Sequence, residues 1–260
     1  MQRFIRDFKK FYPYTKVSAR SDLKNEVASS YLNWLWWILD PLLFMMVYTF
    51  IAITVFQKGG KYFPLFVFIG LTLWTFYKNT VLQSVKVIRN NSSVVSKVYL
   101  PKYMLIVNRV MVNGFKMLVS FVLIVILMLI YRVPVTWNVL YIIPIIILLV
   151  LFTFGLSCFM LHYGVFVDDL YNVMNVVLKL SFYLTGIFYS ISERVPEPWN
   201  SVLLWINPVS VLIQSARRCL IYESEPLFVM IAFGAVISVL MCIFGVRLIY
   251  KHENNYVKRM

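Results

Sequence analysis

Few residues in this chain have the types and spacing that catalysis or metal binding requires. No G-x-x-x-x-G-K-[ST] occurs and no two of the nine glycines have G-x-G spacing, so the chain does not itself hydrolyse ATP through a phosphate loop. The adjacent carboxylates Asp168 and Asp169 lack a recognisable catalytic partner, and His162 and His252 suit packing and surface positions. The three cysteines are odd in number and lie in apolar segments, which is typical of small core residues: Cys158, Cys219 and Cys242. We expect no catalytic site, metal or bound cofactor in this chain.

One segment has the composition of a binding surface, NNSSVVSKVYLPKYMLIVNRV at residues 90–110. Its centre is apolar, and Lys97 and Lys102 supply cations at its rim. A protein interface combines an apolar centre with a charged rim in this way. The alternative is a basic loop that rests on anionic lipid.

The bulk composition is that of a membrane protein. Of the 260 residues, 61% are hydrophobic and 14% are charged, whereas a soluble domain has about 25% charged residues. The formal net charge of +14 comes from cations that flank apolar runs, without the basic stripe and interleaved aromatic residues of a nucleic-acid binder. Nothing marks a domain boundary, so we predict a single transmembrane domain over residues 1–260.

Six stretches are apolar and long enough to cross a hydrocarbon core of about 30 Å, which takes roughly 20 helical residues each. They cover residues 38–57, 63–86, 105–131, 139–164, 170–191 and 226–248. The first contains Asp40-Pro41, which we interpret as a helix cap followed by a first-turn proline. The sequence therefore predicts an all-α integral membrane protein with six transmembrane helices.

The cations are distributed unevenly between the two sides of the membrane. Seventeen of the 25 Lys and Arg residues lie on the side of residues 1–37, 87–104, 165–169 and 249–260, six lie on the other side, and Lys78 and Lys179 lie within spans. By the positive-inside rule, both termini and the 87–104 loop face the cytoplasm.

Residues 20–37 begin with charges and end in a tryptophan cluster, which suits a helix in the lipid headgroup layer. The cations are Arg20 and Lys24, and the tryptophans are Trp34, Trp36 and Trp37. This segment forms either an ordinary aromatic belt or a lateral gate at which a cation meets an anionic headgroup.

Lys179 lies near the middle of the fifth predicted span, about 14 Å from its start at 1.5 Å per residue. A charge at that depth indicates either a position in a channel or a lysine that snorkels or bonds to a hydroxyl of another helix. On the opposite side from the termini, residues 198–216 are uncharged, apolar and broken at Asn207-Pro208. Two short re-entrant helices fit this stretch better than one crossing.

The order of these segments resembles the ABC-2 type permeases that export lipid-linked polysaccharides such as O-antigen, teichoic acid and capsule. The resemblance is carried by residues 20–56, by 63–110 with its SKVYLP motif, by VFVDDLYNV at 165–173 and by 195–222. It extends over nearly the whole chain. One departure is Asp168-Asp169, where the family often has an Arg-Asp pair, so the cation of that pair is missing here.

The resemblance implies a role for each segment. The family's coupling helix, which docks on the ATP-binding subunit, falls on residues 90–104, and its centre is Ser96, Lys97, Val98, Tyr99, Leu100 and Pro101. The N-terminal interfacial helix falls on 20–37, within the cytoplasmic segment 1–37, and residues 249–260 form a cytoplasmic tail. The external re-entrant gate helices fall on 198–222, and their residues are Trp205, Asn207, Pro208 and Arg217.

The resemblance also implies an assembly. Two copies of this chain would combine with two ATP-binding subunits, which would hold the ATP and Mg. Closure of those subunits would act through the coupling helix and open an aromatic-lined channel, with Lys179 as a candidate lining residue. An undecaprenyl-diphosphate-linked glycan would then cross the bacterial cytoplasmic membrane, in contact with membrane lipid.

The sequence leaves three other functions open. An ABC-2 exporter of a small lipid or a drug is the nearest rival. A membrane enzyme acting on lipid-linked sugars would need a cluster of carboxylates or histidines near one membrane face. An ion-coupled secondary transporter would need buried carboxylates, and only Asp40 comes close to such a position.

Overall fold

The computed structural model describes residues 2–28, 33–55, 60 and 62–258, and the regular structure in these residues is helical. In chain order the α-helices are α1 (Gln2–Ala28), α2 (Asn33–Phe50), α3 (Phe63–Val85), α4 (Val87–Asn90), α5 (Ser92–Val95), α6 (Tyr103–Ile130), α7 (Ile142–Phe166), α8 (Leu170–Leu184), α9 (Ile191–Arg194), α10 (Trp199–Ile206), α11 (Pro208–Leu220) and α12 (Phe228–Lys258). A π-helical turn, Ile51–Val55, continues α2, and a 3-10 helix, Trp137–Tyr141, precedes α7.

Within the described residues, five helices are long and apolar enough to cross a membrane. They are Leu35–Thr54, Phe63–Val85, Tyr103–Ile130, Trp137–Phe166 and Phe228–Tyr256, which match five of the six predicted spans. The interpretation of Asp40 as a helix cap is wrong, because α2 begins at Asn33 and continues through both Asp40 and Pro41. Inside a helix, Pro41 has no N–H to donate to the carbonyl four residues earlier, that of Trp37.

The remaining predicted span, 170–191, forms a shorter helix than the sequence indicated. α8 has 15 residues, about 22 Å at 1.5 Å per residue, which is less than the hydrocarbon thickness of about 30 Å. The chain turns directly after it, and Gly186 adopts a φ of 71°, a left-handed conformation that glycine accepts without steric cost.

The two ends of α8 nevertheless lie beside the two ends of α3. Asp168, just before α8, forms an ion pair with Arg89, just after α3. After α8, the carbonyl of Gly186 accepts from Arg217, which also donates to the carbonyl of Phe66 in the first turn of α3. α8 therefore runs alongside α3 from one end of the bundle to the other.

α3 occupies the centre of the bundle. The residues from Leu65 to Trp74 are buried, and α2, α6, α7, α8 and α11 pack around the helix. Its mean hydropathy of 1.4 is below the 2.9 of the span that contains α7, because a helix enclosed by protein can carry polar side chains that bond to its neighbours. The core is thus built around the least apolar of the five spanning helices.

Contacts between distant parts of the chain define the two ends of the bundle. At the near end (residues 2–11, 86–103, 166–170 and 250–258), the hydroxyl of Tyr103 donates to the carbonyl of Phe4 over 3.3 Å. At the far end (residues 131–141 and 185–228), the amide of Asn138 donates to the carbonyl of Glu223 over 2.8 Å. Both described termini therefore lie at the near end.

The far end contains the predicted break between two short helices. α10 ends at Ile206, and the Asn207 side chain caps α11 by accepting from the backbone N–H groups of Val209 and Ser210, at 3.1 and 3.4 Å. Pro208 takes the first position of α11, where its missing N–H leaves no bond unmade. The Asn207 amide also donates to the hydroxyl of Thr185 over 2.8 Å, so this cap is tied to the end of α8.

Arg217 joins three elements of the far end. Its side chain is fully buried, and it donates to the carbonyls of Phe66 (3.0 Å), Gly186 (2.7 Å) and Ile187 (2.7 Å). The guanidinium also lies 3.5 Å from the centre of the Phe66 ring, a favourable cation–π geometry. A Cβ on Gly70 would collide with the guanidinium, so a larger residue at that position would force the Arg217 side chain to move.

We predict that Arg217→Met destabilises the whole bundle. The buried carbonyls of Gly186 and Ile187 would lose their donor, and each unsatisfied group costs about 1–3 kcal/mol, so the free energy of unfolding should fall by roughly 2 kcal/mol or more. Thermal unfolding of the purified full chain can be followed with a thiol-reactive dye, because Cys158 and Cys219 are free and buried.

Arg218→Met is the matched control, because Arg218 donates from an exposed position to the carbonyl of Glu225. We expect Arg218→Met to unfold close to the wild-type temperature. Gly70→Ala should reproduce the destabilisation by displacing the same guanidinium. Equal unfolding temperatures for the Arg217 and Arg218 variants would contradict the role assigned to Arg217.

Candidate functional site

The segment predicted as a coupling helix, residues 90–104, is not one helix. It contains the end of α4 and all of α5, then a turn over residues 96–98 and an extended stretch, and α6 begins at Tyr103. Asn91 separates α4 from α5 with a φ of −116° and a ψ of 23°. Pro101 favours an extended conformation in the residue before it, which is why the helix does not continue through Leu100.

The six central residues of this segment divide into an exposed tip and a buried base. Ser96, Lys97, Val98 and Tyr99 are exposed, and Val98 and Tyr99 have exposed fractions of 59% and 55%. Leu100 and Pro101 are buried, and Leu100 packs in a cluster with Met104 of α6 and Ile249 of α12. We define the coupling tip as residues 96–99, because only these four of the six can touch another molecule.

Both terminal helices support the coupling tip. The Tyr99 hydroxyl accepts a hydrogen bond from Arg3 of α1 at 2.9 Å and donates to Glu253 of α12 at 3.3 Å. Arg3 and Glu253 also form an ion pair at 3.5 Å. The tip is therefore fixed to both ends of the chain and, through Leu100, to the first turn of α6.

Lys102 forms part of this support and not of the exposed rim that the sequence indicated. It is buried and donates to the carbonyl of Leu100 over 3.2 Å. Burial lowers the pKa of Lys102, and the nearby carboxylate of Glu253 acts in the opposite direction. Of the two lysines assigned to the rim, only Lys97 is exposed.

Sequence reasoning missed the contribution of α1 and Glu253 to this site. Phe4, Phe8 and Phe11 follow a spacing of four and three residues, which places them on one helical face that packs against the cluster around Tyr103. That spacing was a usable signal for a packed helix at the N-terminus. No local signal identifies Glu253 as a partner of Tyr99, because the two residues are 154 positions apart.

The near end also contains a substitute for the cation that the sequence lacks beside Asp168. Arg89 of α4 forms the ion pair with Asp168, and Lys86 lies with its ammonium 4.0 Å from the centre of the Tyr171 ring. The loop between α7 and α8 is thereby attached to the segment that leads into the coupling tip. A cation reaches Asp168 from another helix instead of from the preceding residue.

Residues 20–37 do not form a single interfacial helix. Arg20 and Lys24 are exposed on α1, which ends at Ala28, whereas Trp36 and Trp37 belong to α2. The side chain of Trp34, in the first turn of α2, lies outside the described residues. The structure therefore places the two cations and the tryptophans on different helices.

α1 is bound along α6 by charged pairs. Asp22 lies 3.3 Å from Arg109, and Glu26 lies 2.6 Å from Lys116. Trp37 of α2 packs edge-on against Phe115 of α6, with ring centres 6.0 Å apart. The end of α1 and the start of α2 therefore meet the same part of α6.

At the far end, the residues predicted to form an external gate contact two different elements. Asn207 and Arg217 both bind the turn after α8, through Thr185 and through the carbonyls of Gly186 and Ile187. Trp205 is half exposed and packs edge-on against Phe233 of α12, with ring centres 5.3 Å apart. Asn207 and Arg217 are thus brought together as structural contacts, and Trp205 is directed toward another helix.

Lys179 lies on the exposed face of α8. That face is apolar and includes Val176, Leu180 and Tyr183, each exposed by 55% or more. Among the described residues, no carboxylate pairs with Lys179. The structure therefore places this cation on an unpartnered surface and not in the core of the bundle.

Comparison with known proteins identifies the family. The model of the family described as ABC-2 type transporter matches residues 15–221. The chain is 27% identical to an O-antigen export system permease protein, RfbA, from Myxococcus xanthus, over 91% of this chain and 93% of that protein. It is 30% identical to a protein of the same name from Klebsiella pneumoniae, over 78% of each chain. Since the family match covers most of its length, the chain belongs to the ABC-2 type transporter family.

Proposed function

We propose that this chain is the membrane-spanning subunit of an ATP-binding cassette exporter for a lipid-linked surface polysaccharide. The observation that carries the proposal is the coupling tip, an exposed apolar and cationic surface that Arg3, Glu253 and Leu100 hold against the helix bundle. The substrate class follows from the relatives in Myxococcus xanthus and Klebsiella pneumoniae, which are named O-antigen export permeases. The chain itself is a transport subunit and not an enzyme.

The proposed topology has six crossings, with both termini in the cytoplasm. Within the part of the chain that the structure describes, five helices are of spanning length, and α8 runs alongside α3 between the two ends of the bundle as the sixth crossing. Six crossings return the chain to the side where it began, which agrees with the contact between Arg3 and Glu253 at the near end. The excess of Lys and Arg on that side assigns it to the cytoplasm, and α10 and α11 then form the external re-entrant helices.

The proposed partner at the coupling tip is an ATP-binding subunit, which would hold the ATP and Mg. An interface centre is apolar and its rim is polar, and the tip offers Val98 and the Tyr99 ring flanked by Ser96 and Lys97. Movement of such a partner would act directly on α6, because α6 begins four residues after Tyr99.

The proposed assembly contains two copies of this chain and two ATP-binding subunits. The exposed apolar face of α8 supports this assembly. Lys179 on that face needs protein or water near its charge, and lipid provides neither. Lys179 would then line a path between the two copies for an undecaprenyl-diphosphate-linked glycan. Arg20, Lys24, Trp36 and Trp37 would act at the lateral entrance, although on two helices and not one.

We predict that deletion of this chain removes the surface polysaccharide while its lipid-linked precursor accumulates inside the cell. Electrophoresis of surface polysaccharide and analysis of extracted lipid-linked sugars would measure both effects. Complementation with the wild-type chain is the control. A deletion strain that keeps its normal surface polysaccharide would contradict the substrate class and favour a small lipid or a drug.

The orientation is tested by labelling Lys97→Cys and Val135→Cys with a membrane-impermeant maleimide in right-side-out vesicles. Both positions are exposed, and they lie at opposite ends of the bundle. We expect Val135→Cys to react directly and Lys97→Cys to react only after permeabilisation. The native chain is the background control, because its cysteines are buried or half-buried. Labelling of position 97 from outside would contradict the topology.

Val98→Asp should weaken binding of the ATP-binding subunit by roughly tenfold or more, because a charge would enter the centre of an apolar contact. Co-purification of the two subunits and ATPase activity of the complex measure the loss. Val135→Asp is the matched control, since Val135 is exposed by 69% at the far end, compared with 59% for Val98.

Leu100→Asp is unsuitable, because Leu100 is only 3% exposed and its replacement would disturb the fold. Equal binding by the Val98 and Val135 variants would exclude the tip as the interface.

A further inference from the structure

A cleft with several polar side chains in its wall lies between α2, α3 and α6, within the part of the chain that spans the membrane. It encloses about 160 Å³ and is lined by residues that include Trp36, Trp37, Asp40, Thr72, Asn113 and Lys116. Trp36 and Asp40 are exposed at its mouth, whereas Thr72 and Asn113 are each only 3% exposed. The proposed coupling role uses none of the polar groups on the floor of this cleft.

The carbonyl oxygen of the Asn113 side chain is buried and has no protein partner. The Asn113 amide nitrogen donates to Thr80 and to Gln83, both over 3.1 Å. Because the Thr80 hydroxyl already donates to the carbonyl of Phe76, it can only accept from Asn113, which fixes the orientation of the amide. The Asn113 oxygen is therefore an acceptor that no protein group uses, in a residue that lines the cleft.

The Thr72 hydroxyl is a second buried group without a protein partner. Hydroxyl side chains inside helices usually donate to the carbonyl four residues earlier, and Thr80 and Ser84 do so in this same helix. Thr72 makes no such bond although it is equally buried. A buried polar atom without a partner is costly, so its presence in a cleft indicates a ligand or an ordered water.

Asp40 gives the cleft a formal negative charge. It lies inside α2 and caps nothing, and among the described residues no cation forms an ion pair with it. Lys116, the cation that lines the same cleft, is already paired with Glu26 at 2.6 Å. Because Pro41 has no N–H, the carbonyl of Trp37 lacks its usual helical donor.

We propose that this cleft binds a primary ammonium group, supplied by the headgroup of an aminophospholipid such as phosphatidylethanolamine. A primary ammonium has three N–H donors and a positive charge, which match the acceptors of Thr72 and Asn113 and the carboxylate of Asp40. Indole rings attract such cations, and Trp36 lines the cleft with an exposed side chain, whereas the Trp37 ring already lies 5.5 Å from the Lys116 ammonium. Its volume of about 160 Å³ is roughly five times the ~30 Å³ of a water molecule, enough for an aminoethyl group.

A lipid source follows from the position of the cleft. Its walls belong to three membrane-spanning helices, and tryptophans at its mouth are typical of the headgroup level of a bilayer. An aminophospholipid in the adjacent leaflet would reach the mouth by lateral diffusion. Trp36 and Trp37 also belong to the lateral entrance proposed above, but retention of a phospholipid by the purified chain requires no export, so the test can fail or succeed separately from the proposed function.

The test is native mass spectrometry of the purified full chain with phosphatidylethanolamine, phosphatidylcholine or phosphatidylglycerol of identical acyl chains. We expect phosphatidylethanolamine to be retained roughly tenfold more strongly than phosphatidylcholine, whose quaternary ammonium cannot donate hydrogen bonds. Asp40→Asn should abolish this preference, and Thr72→Val, which removes one hydroxyl at nearly constant volume, should reduce it several-fold. Asp169→Asn is the matched control, because Asp169 is an exposed carboxylate remote from the cleft.

Free ethanolamine distinguishes the two sources of the ammonium group. Failure of equimolar ethanolamine to displace the bound lipid supports a headgroup site, and full displacement assigns the cleft to a soluble amine and overturns the lipid source. Equal retention of phosphatidylethanolamine and phosphatidylcholine by the wild-type chain overturns the proposal. An unchanged preference in a folded Asp40→Asn chain overturns it as well.

Discussion

The far end of the bundle depends on one buried guanidinium that bonds to backbone carbonyls. Among the described residues no carboxylate pairs with Arg217, and a buried cation without compensation is expensive. Carbonyls from the first turn of α3 and from the turn after α8 supply that compensation. Because carbonyl dipoles have directions fixed by the backbone, Arg217 sets the position of both segments relative to α11. The three elements therefore behave as one unit, and any motion there would involve the unit as a whole.

At the near end, the coupling tip is held by a different kind of interaction, beside the apolar cluster that buries Leu100. The contacts of Arg3 with Tyr99 and Glu253 are partly exposed, and such pairs each contribute little to stability, on the order of 1 kcal/mol or less. They can break and re-form in another arrangement at low cost, whereas the carbonyl cage of Arg217 cannot. A ligand shifts an equilibrium only through contacts that differ between two states, and the near end has the contacts that can differ. This asymmetry supports the proposal that a partner acts on the coupling tip while the far end resists distortion.

The sequence predicted the fold where apolar length alone decides it. The spans that contain α7 and α12 were recovered because their hydropathy signals membrane burial without reference to neighbours. The prediction for Asp40-Pro41 was wrong, because α2 stays helical through a proline that local preference would place at the start of a helix. The predicted span 170–191 proved too long, because the left-handed Gly186 ends the helix and its carbonyl is needed by Arg217.

The sequence predicted which segment forms the candidate site but not which of its side chains are exposed. Residues 96–101 were identified together, and which of them are exposed depends on α1 and α12, whose contacts cross about the full length of the chain. Leu100 and Lys102 face inward for that reason. Burial of this kind has no local signature, because it is created by residues that meet only after the chain has folded. The helical spacing of Phe4, Phe8 and Phe11 was the one local sign that α1 packs against protein.

Arg217 and Lys179 differ in whether a single copy of this chain supplies partners for their charges. Arg217 is surrounded by acceptors that the chain itself provides, so its role is complete within one copy. Lys179 has no carboxylate partner among the described residues and lies beside the exposed apolar side chains of Val176 and Leu180. A helix that faced only lipid would gain nothing from a lysine at this depth, since the charge would have to reach the interface or find an acceptor. The contrast between these two residues supports the proposal that something outside this chain covers the α8 face, for which a second copy related by two-fold symmetry is the simplest source.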